Sequence, residues 1–178
     1  YSLGARVALG LLAAAPARFR RALLIGARAG LAAPSARGAR RDADARWIAQ
    51  LTQAVDDPAA YDAFFDAWSA QPLFATQARL SEAARAAQDD VRRRHDPRGL
   101  AAALAVLGLG NMPDLRPALP TFDRPVRLLV GADDVPFHAA AEAMAAQLPD
   151  ARVAHVPAAG HNLLLETPAA VAAALMEA

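Results

Sequence analysis

The hydrophobic pattern of this chain differs between its two ends and its middle. Near the start, apolar positions from Leu3 to Ala15 predict a buried helix that ends at Pro16, and Arg21 to Gly26 predict a short buried strand. The same alternation of elements returns after Pro125, with predicted strands at 126–131 and 151–156 and predicted helices at 139–148 and 169–176. Strands that alternate with helices in this way are typical of a parallel α/β sheet.

The middle of the chain has helical periodicity only. A loop rich in Gly, Ala, Pro and Ser is predicted from Gly30 to Gly38, and predicted helices follow at 42–55, 61–69, 80–94 and 99–109. We therefore predict an α/β core over residues 1–32 and 121–178, interrupted by an all-helical cap over residues 33–120.

Composition narrows the possible partners. The chain has 178 residues, a hydrophobic content of 55% and a formal net charge of +1, so no nucleic-acid partner is expected. There is no cysteine, which excludes disulfides and thiolate metal sites. No apolar run is long enough to predict a membrane-spanning helix, so no membrane association is expected.

Three residues that follow predicted core elements suggest chemistry. Ser2 precedes the first helix, an acidic pair (Asp133 and Asp134) follows a buried strand, and His161 follows the last strand. Taken singly, the serine and either aspartate have an alternative role as helix caps. Together they have the order nucleophile, acid, histidine of an α/β-hydrolase triad, with Asp134 favoured over Asp133. The backbone N–H of Leu3 is placed to donate to an oxyanion.

Arginines near this triad suggest the substrate class. Arg6 lies one helical turn after Ser2, and Arg40 lies in an arginine cluster at the start of the cap. Because guanidinium groups pair with carboxylates through two hydrogen bonds, convergent arginines suit a small-molecule polycarboxylate. An esterase acting on apolar substrates would favour apolar walls instead.

Several segments carry a resemblance to a known family. The segments are YSLGAR at 1–6, ARRDADARW at 39–47, FDAWSAQPLFA at 65–75, HDPRGL at 95–100, LGLGNMP at 107–113 and GHN at 160–162. In these segments the chain resembles the 2-succinyl-6-hydroxy-2,4-cyclohexadiene-1-carboxylate synthases of menaquinone biosynthesis. The cap motif W-x-x-x-P-L-F-A at 68–75 and Arg6 are the specific part of the likeness, since the serine and histidine motifs are shared across the α/β-hydrolases.

The resemblance implies an α/β-hydrolase fold and a carbon–oxygen lyase that eliminates pyruvate from 2-succinyl-5-enolpyruvyl-6-hydroxy-3-cyclohexene-1-carboxylate. It implies no cofactor and no metal, and a cytoplasmic location. The implied site residues are catalytic Ser2, Asp134 and His161 and substrate-binding Tyr1, Leu3, Arg6, Arg40 and Trp68. The remaining histidines, His95, His138 and His155, do not pair at metal-ligand spacing and are expected to be structural.

Two departures from the family affect these expectations. Pro136 stands where the family can carry a basic residue, which would remove one substrate contact. The family also has an upstream segment, with further strands and a His-Gly loop, that this sequence lacks. We therefore expect a truncated chain that is inactive in isolation. A generic α/β-hydrolase acting on esters or C–C bonds and a non-catalytic remnant are the alternatives.

Overall fold

The computed structural model describes residues 1–177. Within these residues, three β-strands and eight α-helices are connected by loops and short 3-10 segments. In chain order they are α1 (Leu3–Ala14), β1 (Ala22–Ile25), α2 (Pro34–Gln53), α3 (Pro58–Ser69), α4 (Glu82–Arg93), α5 (Pro97–Leu107), β2 (Val126–Gly131), α6 (Val135–Ala145), β3 (Ala151–Val156), α7 (Leu163–Glu166) and α8 (Pro168–Glu177).

The three strands form a parallel sheet in the order β1-β2-β3. Ala22 is in register with Val126, and Val126 with Ala151, so the three carboxyl ends lie at one edge of the sheet. In parallel α/β sheets this edge is where binding and catalytic residues gather, because the loops that leave the strands converge there.

Alternate strand residues pack into two separate cores. On one face, Leu24, Leu128 and Val130 join buried residues of α1 and α6. On the other face, Ile25 and Leu129 join buried residues of α7 and α8. Because β2 is covered on both faces, its residues 128–130 (Leu-Leu-Val) form a continuous apolar run rather than an alternating one.

The chain divides into two compact units. The first contains the sheet and comprises residues Tyr1–Ala29, Leu73–Ala78 and Asp114–Ala178, and the second comprises Gly30–Pro72 and Arg79–Pro113. These limits differ from the boundaries drawn from the sequence, since a short 3-10 segment at 73–78 belongs to the sheet unit. The cap over residues 33–120 stays a prediction.

The second unit is helical and has an aromatic core. Leu51 of α2 packs with Tyr61, Phe64 and Phe65 of α3. The Tyr61 hydroxyl donates a hydrogen bond to the backbone carbonyl of His95, and burial, with the negative charge of Asp96, raises the pKa of the phenol above its ordinary value.

One predicted segment is wrong in this unit. The loop expected from Gly30 to Gly38 ends early, because α2 begins at Pro34 rather than at residue 42. Proline is well suited to the first turn of a helix, where its missing N–H has no partner to lose. Gly38 is accommodated within the helix despite its low propensity.

In the part of the chain that the structure describes, no helix has both the length and the apolar character needed to cross a membrane.

Candidate active site

Ser2 occupies a sharp turn between the chain start and α1. Its backbone has φ 47° and ψ −112°, a region that L-residues rarely adopt. The Ser2 N–H donates to the carbonyl of Ile25 at 2.8 Å, which ties the turn to the end of β1. The side chain makes no helix-capping hydrogen bond, so the hydroxyl does not serve as a cap.

Asp134 and His161 come from the loops that follow β2 and β3, and these loops are in direct contact. The N–H of Asp133 donates to the carbonyl of Ala159 at 2.9 Å. Gly131 permits the approach, since a Cβ there would lie 2.1 Å from the carbonyl oxygen of Gly160. A glycine at the end of β2 is therefore a steric requirement of this arrangement.

The three side chains form one hydrogen-bonded chain. His161 Nδ1 lies 2.7 Å from Asp134 Oδ2, and His161 Nε2 lies 2.9 Å from Ser2 Oγ. Because an ionised carboxylate can only accept, we assign the proton to Nδ1, which leaves Nε2 free to accept from the Ser2 hydroxyl. This is the arrangement in which an imidazole can take the proton of a serine.

Burial strengthens the hydrogen bond between His161 and Asp134. The side chains of His161 and Asp134 are each 2% exposed. With water excluded, the carboxylate interacts more strongly with the imidazole than it would at the surface. The carboxylate therefore both orients the ring and favours the imidazolium that forms when His161 accepts a proton.

Two aromatic side chains fix the plane of the His161 ring. The ring of Tyr1 lies 5.3 Å from it and the ring of Phe137 lies 4.4 Å from it, both centroid to centroid. Gly26, at φ 55°, lies against the same imidazole, where an added Cβ would be 3.1 Å from Cε1. Tyr1 is among the residues predicted for the site, whereas Phe137 carries no sequence signal beyond its closeness to Asp134.

Glu166 holds the backbone on both sides of His161. Its carboxylate accepts from the N–H of Gly160 at 2.7 Å and from the N–H of Asn162 at 3.1 Å. Glu166 is not among the site residues predicted from the sequence. The only available signal was its position in the helix that follows the histidine loop, which many acidic residues share.

The other predicted residues of the sheet unit lie on α1. Leu3 is the first residue of the helix, so its N–H is one of the four that have no acceptor within the helix. Arg6 is half-buried one turn later, and its backbone N–H donates to the carbonyl of Ser2. The expected oxyanion donor and the expected carboxylate-binding arginine thus share the turn that begins at Ser2.

Arg40 and Trp68 lie in the helical unit. Arg40 Nε donates to Asp44 Oδ1 at 2.8 Å within α2, and the Asp44 side chain is 7% exposed. Trp68 is half-buried on α3 and contacts Trp47 edge-on, with ring centroids 5.2 Å apart. Both residues therefore have structural contacts of their own within this unit.

Arg28 is a further residue that the sequence analysis did not consider. It lies shortly after β1, donates to the carbonyl of Pro136 at 3.0 Å, and places its guanidinium carbon 5.2 Å from the Phe137 ring centre. Pro136 stands where the family can carry a basic side chain, and the guanidinium group of Arg28 lies beside it. Its position after the carboxyl end of a strand was the signal that could have identified it.

Known proteins share the sequence pattern of this chain. The family profile described as the alpha/beta hydrolase family matches residues 1–174. The chain is 36% identical over 178 residues to a 2-succinyl-6-hydroxy-2,4-cyclohexadiene-1-carboxylate synthase of Enterobacter sp. (strain 638), a match that covers 99% of this chain and 64% of that protein. A synthase of the same name from Klebsiella pneumoniae (strain 342) is 37% identical over 177 residues, covering 99% and 65% of the two chains.

A solved structure agrees with these relatives. MenH from S. aureus superposes with a TM-score of 0.90 at 26% sequence identity, over 99% of this chain and 65% of that chain. The predicted α/β-hydrolase fold is thereby confirmed, as is the predicted resemblance to these synthases. The chain spans about two thirds of the length of the proteins it matches.

Proposed function

The chain belongs to the alpha/beta hydrolase family, and we propose that the protein carrying it is a lyase of this fold that eliminates pyruvate from 2-succinyl-5-enolpyruvyl-6-hydroxy-3-cyclohexene-1-carboxylate. The hydrogen-bonded chain of Ser2, His161 and Asp134 is the observation that carries the proposal. The names of the Enterobacter and Klebsiella relatives support this reaction over others of the same fold.

The triad acts as a base in this reaction. His161 Nε2 draws the proton from Ser2 Oγ, and the serine oxygen removes a proton from the substrate ring. The electron pair of the broken C–H bond moves through the ring, and the C–O bond to the enolpyruvyl group breaks. The leaving group departs as the enolate of pyruvate and becomes pyruvate by taking up the proton that His161 holds, and the ring gains one double bond. Proton transfer of this kind contributes about 10²–10⁴-fold to a rate.

Negative charge develops on the substrate during proton removal, and a hydrogen-bond donor is needed to stabilise it. The N–H of Leu3 belongs to the first turn of α1, at the positive end of the helix. A preorganised donor at such a position is worth about 3–4 kcal/mol to the transition state. We assign Leu3 that role through its backbone alone.

Arginines hold the carboxylates of the substrate in this proposal. Arg6 lies on the same helix as Ser2 and one turn away. Arg40, on α2 of the helical unit, is assigned the same role by the resemblance alone. The ring of Tyr1 lies against His161, so Tyr1 is a further proposed binding residue. The resemblance alone assigns Trp68 of the helical unit to substrate binding. A substrate with several carboxylates gains from each paired guanidinium, whereas a simple ester gains nothing from them.

The test compares two reactions in the protein that carries this chain. Pyruvate release from the enolpyruvyl substrate is measured beside hydrolysis of p-nitrophenyl acetate, for the wild type, for Arg6→Ala and for the control Arg18→Ala. Arg18 is an exposed arginine just beyond α1. We expect Arg6→Ala to lower kcat/KM for pyruvate release at least about tenfold, the loss of one charged hydrogen bond, and Arg18→Ala to leave it unchanged.

Two results would contradict the lyase assignment. Ester hydrolysis without pyruvate release, unaffected by Arg6→Ala, would indicate a generic hydrolase built on the same triad. Neither reaction in a folded protein would indicate a remnant that keeps the fold without the chemistry.

A further inference from the structure

Two histidines and a glutamate meet on the sheet unit, outside the triad. His138 and Glu142 lie one turn apart on α6, and His155 lies on β3. Glu142 Oε1 and His155 Nε2 are 2.8 Å apart, and the rings of His138 and His155 have centroids 3.9 Å apart. The nitrogen and oxygen atoms that these side chains offer all lie within 4.8 Å of one another.

The strand register explains why these residues meet. His155 is the partner of Val130, whose side chain packs in the core between the sheet and helices α1 and α6. His155 therefore points to the face that α6 covers, at the free edge of β3. Sequence spacing could not reveal the cluster, because His155 comes from a different element.

The donor set is that of a transition-metal site. Two imidazole nitrogens and one carboxylate oxygen suit Zn²⁺ and its neighbours, whereas Mg²⁺ and Ca²⁺ favour oxygen ligands alone. Ligands about 2.1 Å from a tetrahedral Zn²⁺ are about 3.4 Å apart. The Glu142–His155 pair, now 2.8 Å apart, would open by about 0.6 Å, and no pair would need to close by more than about 1.4 Å. The Glu142 side chain is 54% exposed and that of His155 is 32% exposed, which leaves them room to make this adjustment.

We propose that His138, Glu142 and His155 bind a divalent transition-metal ion, with Zn²⁺ as the representative and water as the fourth ligand. The ion would join α6 to β3. Asp134 is the residue that precedes α6, and the loop after β3 carries His161. A metal at this position therefore stabilises the two elements from which the acid and the base of the triad extend, without touching the triad itself.

The test is Zn²⁺ titration of the full chain by calorimetry, with thermal unfolding as a second readout. We expect one Zn²⁺ per chain, no heat with Mg²⁺, and a higher unfolding temperature at saturating Zn²⁺. His155→Asn and His138→Asn should each weaken Zn²⁺ binding about tenfold or more and remove the rise in unfolding temperature. His95→Asn, a histidine outside the cluster, is the matched control and should bind as the wild type does.

Glu142→Gln keeps the shape of an exposed side chain, so it tests the site even where a histidine variant does not fold. It should weaken Zn²⁺ binding because it removes the charged ligand. Zn²⁺ affinity that is unchanged in Glu142→Gln and in the folded histidine variants would overturn the proposal. The absence of Zn²⁺ binding to the wild type would overturn it as well, and would leave a Glu142–His155 hydrogen bond beside His138 with no ligand.

Discussion

The Ser2 hydroxyl is held toward His161 by a strained backbone conformation. A positive φ outside glycine costs about 1–3 kcal/mol, and Ser2 adopts φ 47° with ψ −112°. The hydrogen bond from its N–H to Ile25 holds the residue there. This strain places Oγ at the tip of the turn, within reach of His161 rather than over the end of α1.

The strain leads to a prediction about stability. Ser2→Gly should be more stable than Ser2→Ala by about 1 kcal/mol, because glycine adopts this conformation freely and alanine does not. The free energies of unfolding are compared by urea denaturation. Ala8→Gly, in the interior of α1, is the control and should lower stability by about 0.5–1 kcal/mol. A less stable Ser2→Gly than Ser2→Ala would argue against the strained turn.

Individual residues differed in how far the sequence could reveal them. Ser2, Asp134 and His161 each follow or precede a core element, and their order along the chain indicated a triad before any geometry was available. Glu166 and Phe137 carried no such signal, because their importance depends on which backbone N–H or ring they contact in three dimensions.

The loops after β2 and β3 function as one structural element. Gly131 ends β2 against the carbonyl of Gly160, and Asp133 donates to Ala159. The distance between the acid and the histidine is therefore set by backbone contact as well as by the hydrogen bond between their side chains.

A methyl group at position 131 should force these loops apart. We expect Gly131→Ala to lower the free energy of unfolding by about 1–3 kcal/mol, as overpacking in a core does, and to reduce activity with it. Gly10→Ala is the matched control. An added Cβ there meets nothing within 4 Å inside α1, so this change should raise stability by about 0.4–1 kcal/mol. Equal effects of the two substitutions in urea denaturation would contradict the close approach.

Glu166 is predicted to position His161 through the backbone. Removing the carboxylate in Glu166→Ala leaves two N–H groups without their acceptor, so kcat for pyruvate release should fall about tenfold or more while KM changes little. Glu166→Gln keeps one amide oxygen and should recover part of the loss. Glu82→Ala, in the exposed first turn of α4, is the control. A change confined to KM would place Glu166 in substrate binding instead.

The local hydrophobic pattern predicted the limits of the strands more accurately than the start of α2. The strands were predicted at or within one or two residues of their observed limits, because buried parallel strands are short apolar runs. The start of α2 was missed by eight residues, since Pro34 and Gly38 also suit a loop and only packing within the helical unit favours the helix.

The molecule as a whole has two compact units with different kinds of core. The sheet unit buries aliphatic side chains on both faces of β2, and the helical unit buries an aromatic cluster. The change of hydrophobic period along the chain predicted one part built on a sheet and one part built of helices alone. The assignment of residues 73–78 to the sheet unit could not be predicted, because it depends on contacts between distant parts of the chain.

The most direct measurement is a double-mutant cycle on Ser2 and His161, with pyruvate release as the readout. If the two side chains act as one base, Ser2→Ala and His161→Ala should each lower kcat by about 10²–10⁴-fold, and the double variant should be no slower than the slower single variant. Losses that multiply in the double variant, or a Ser2→Ala protein that releases pyruvate at the wild-type rate, would contradict a Ser2–His161 base.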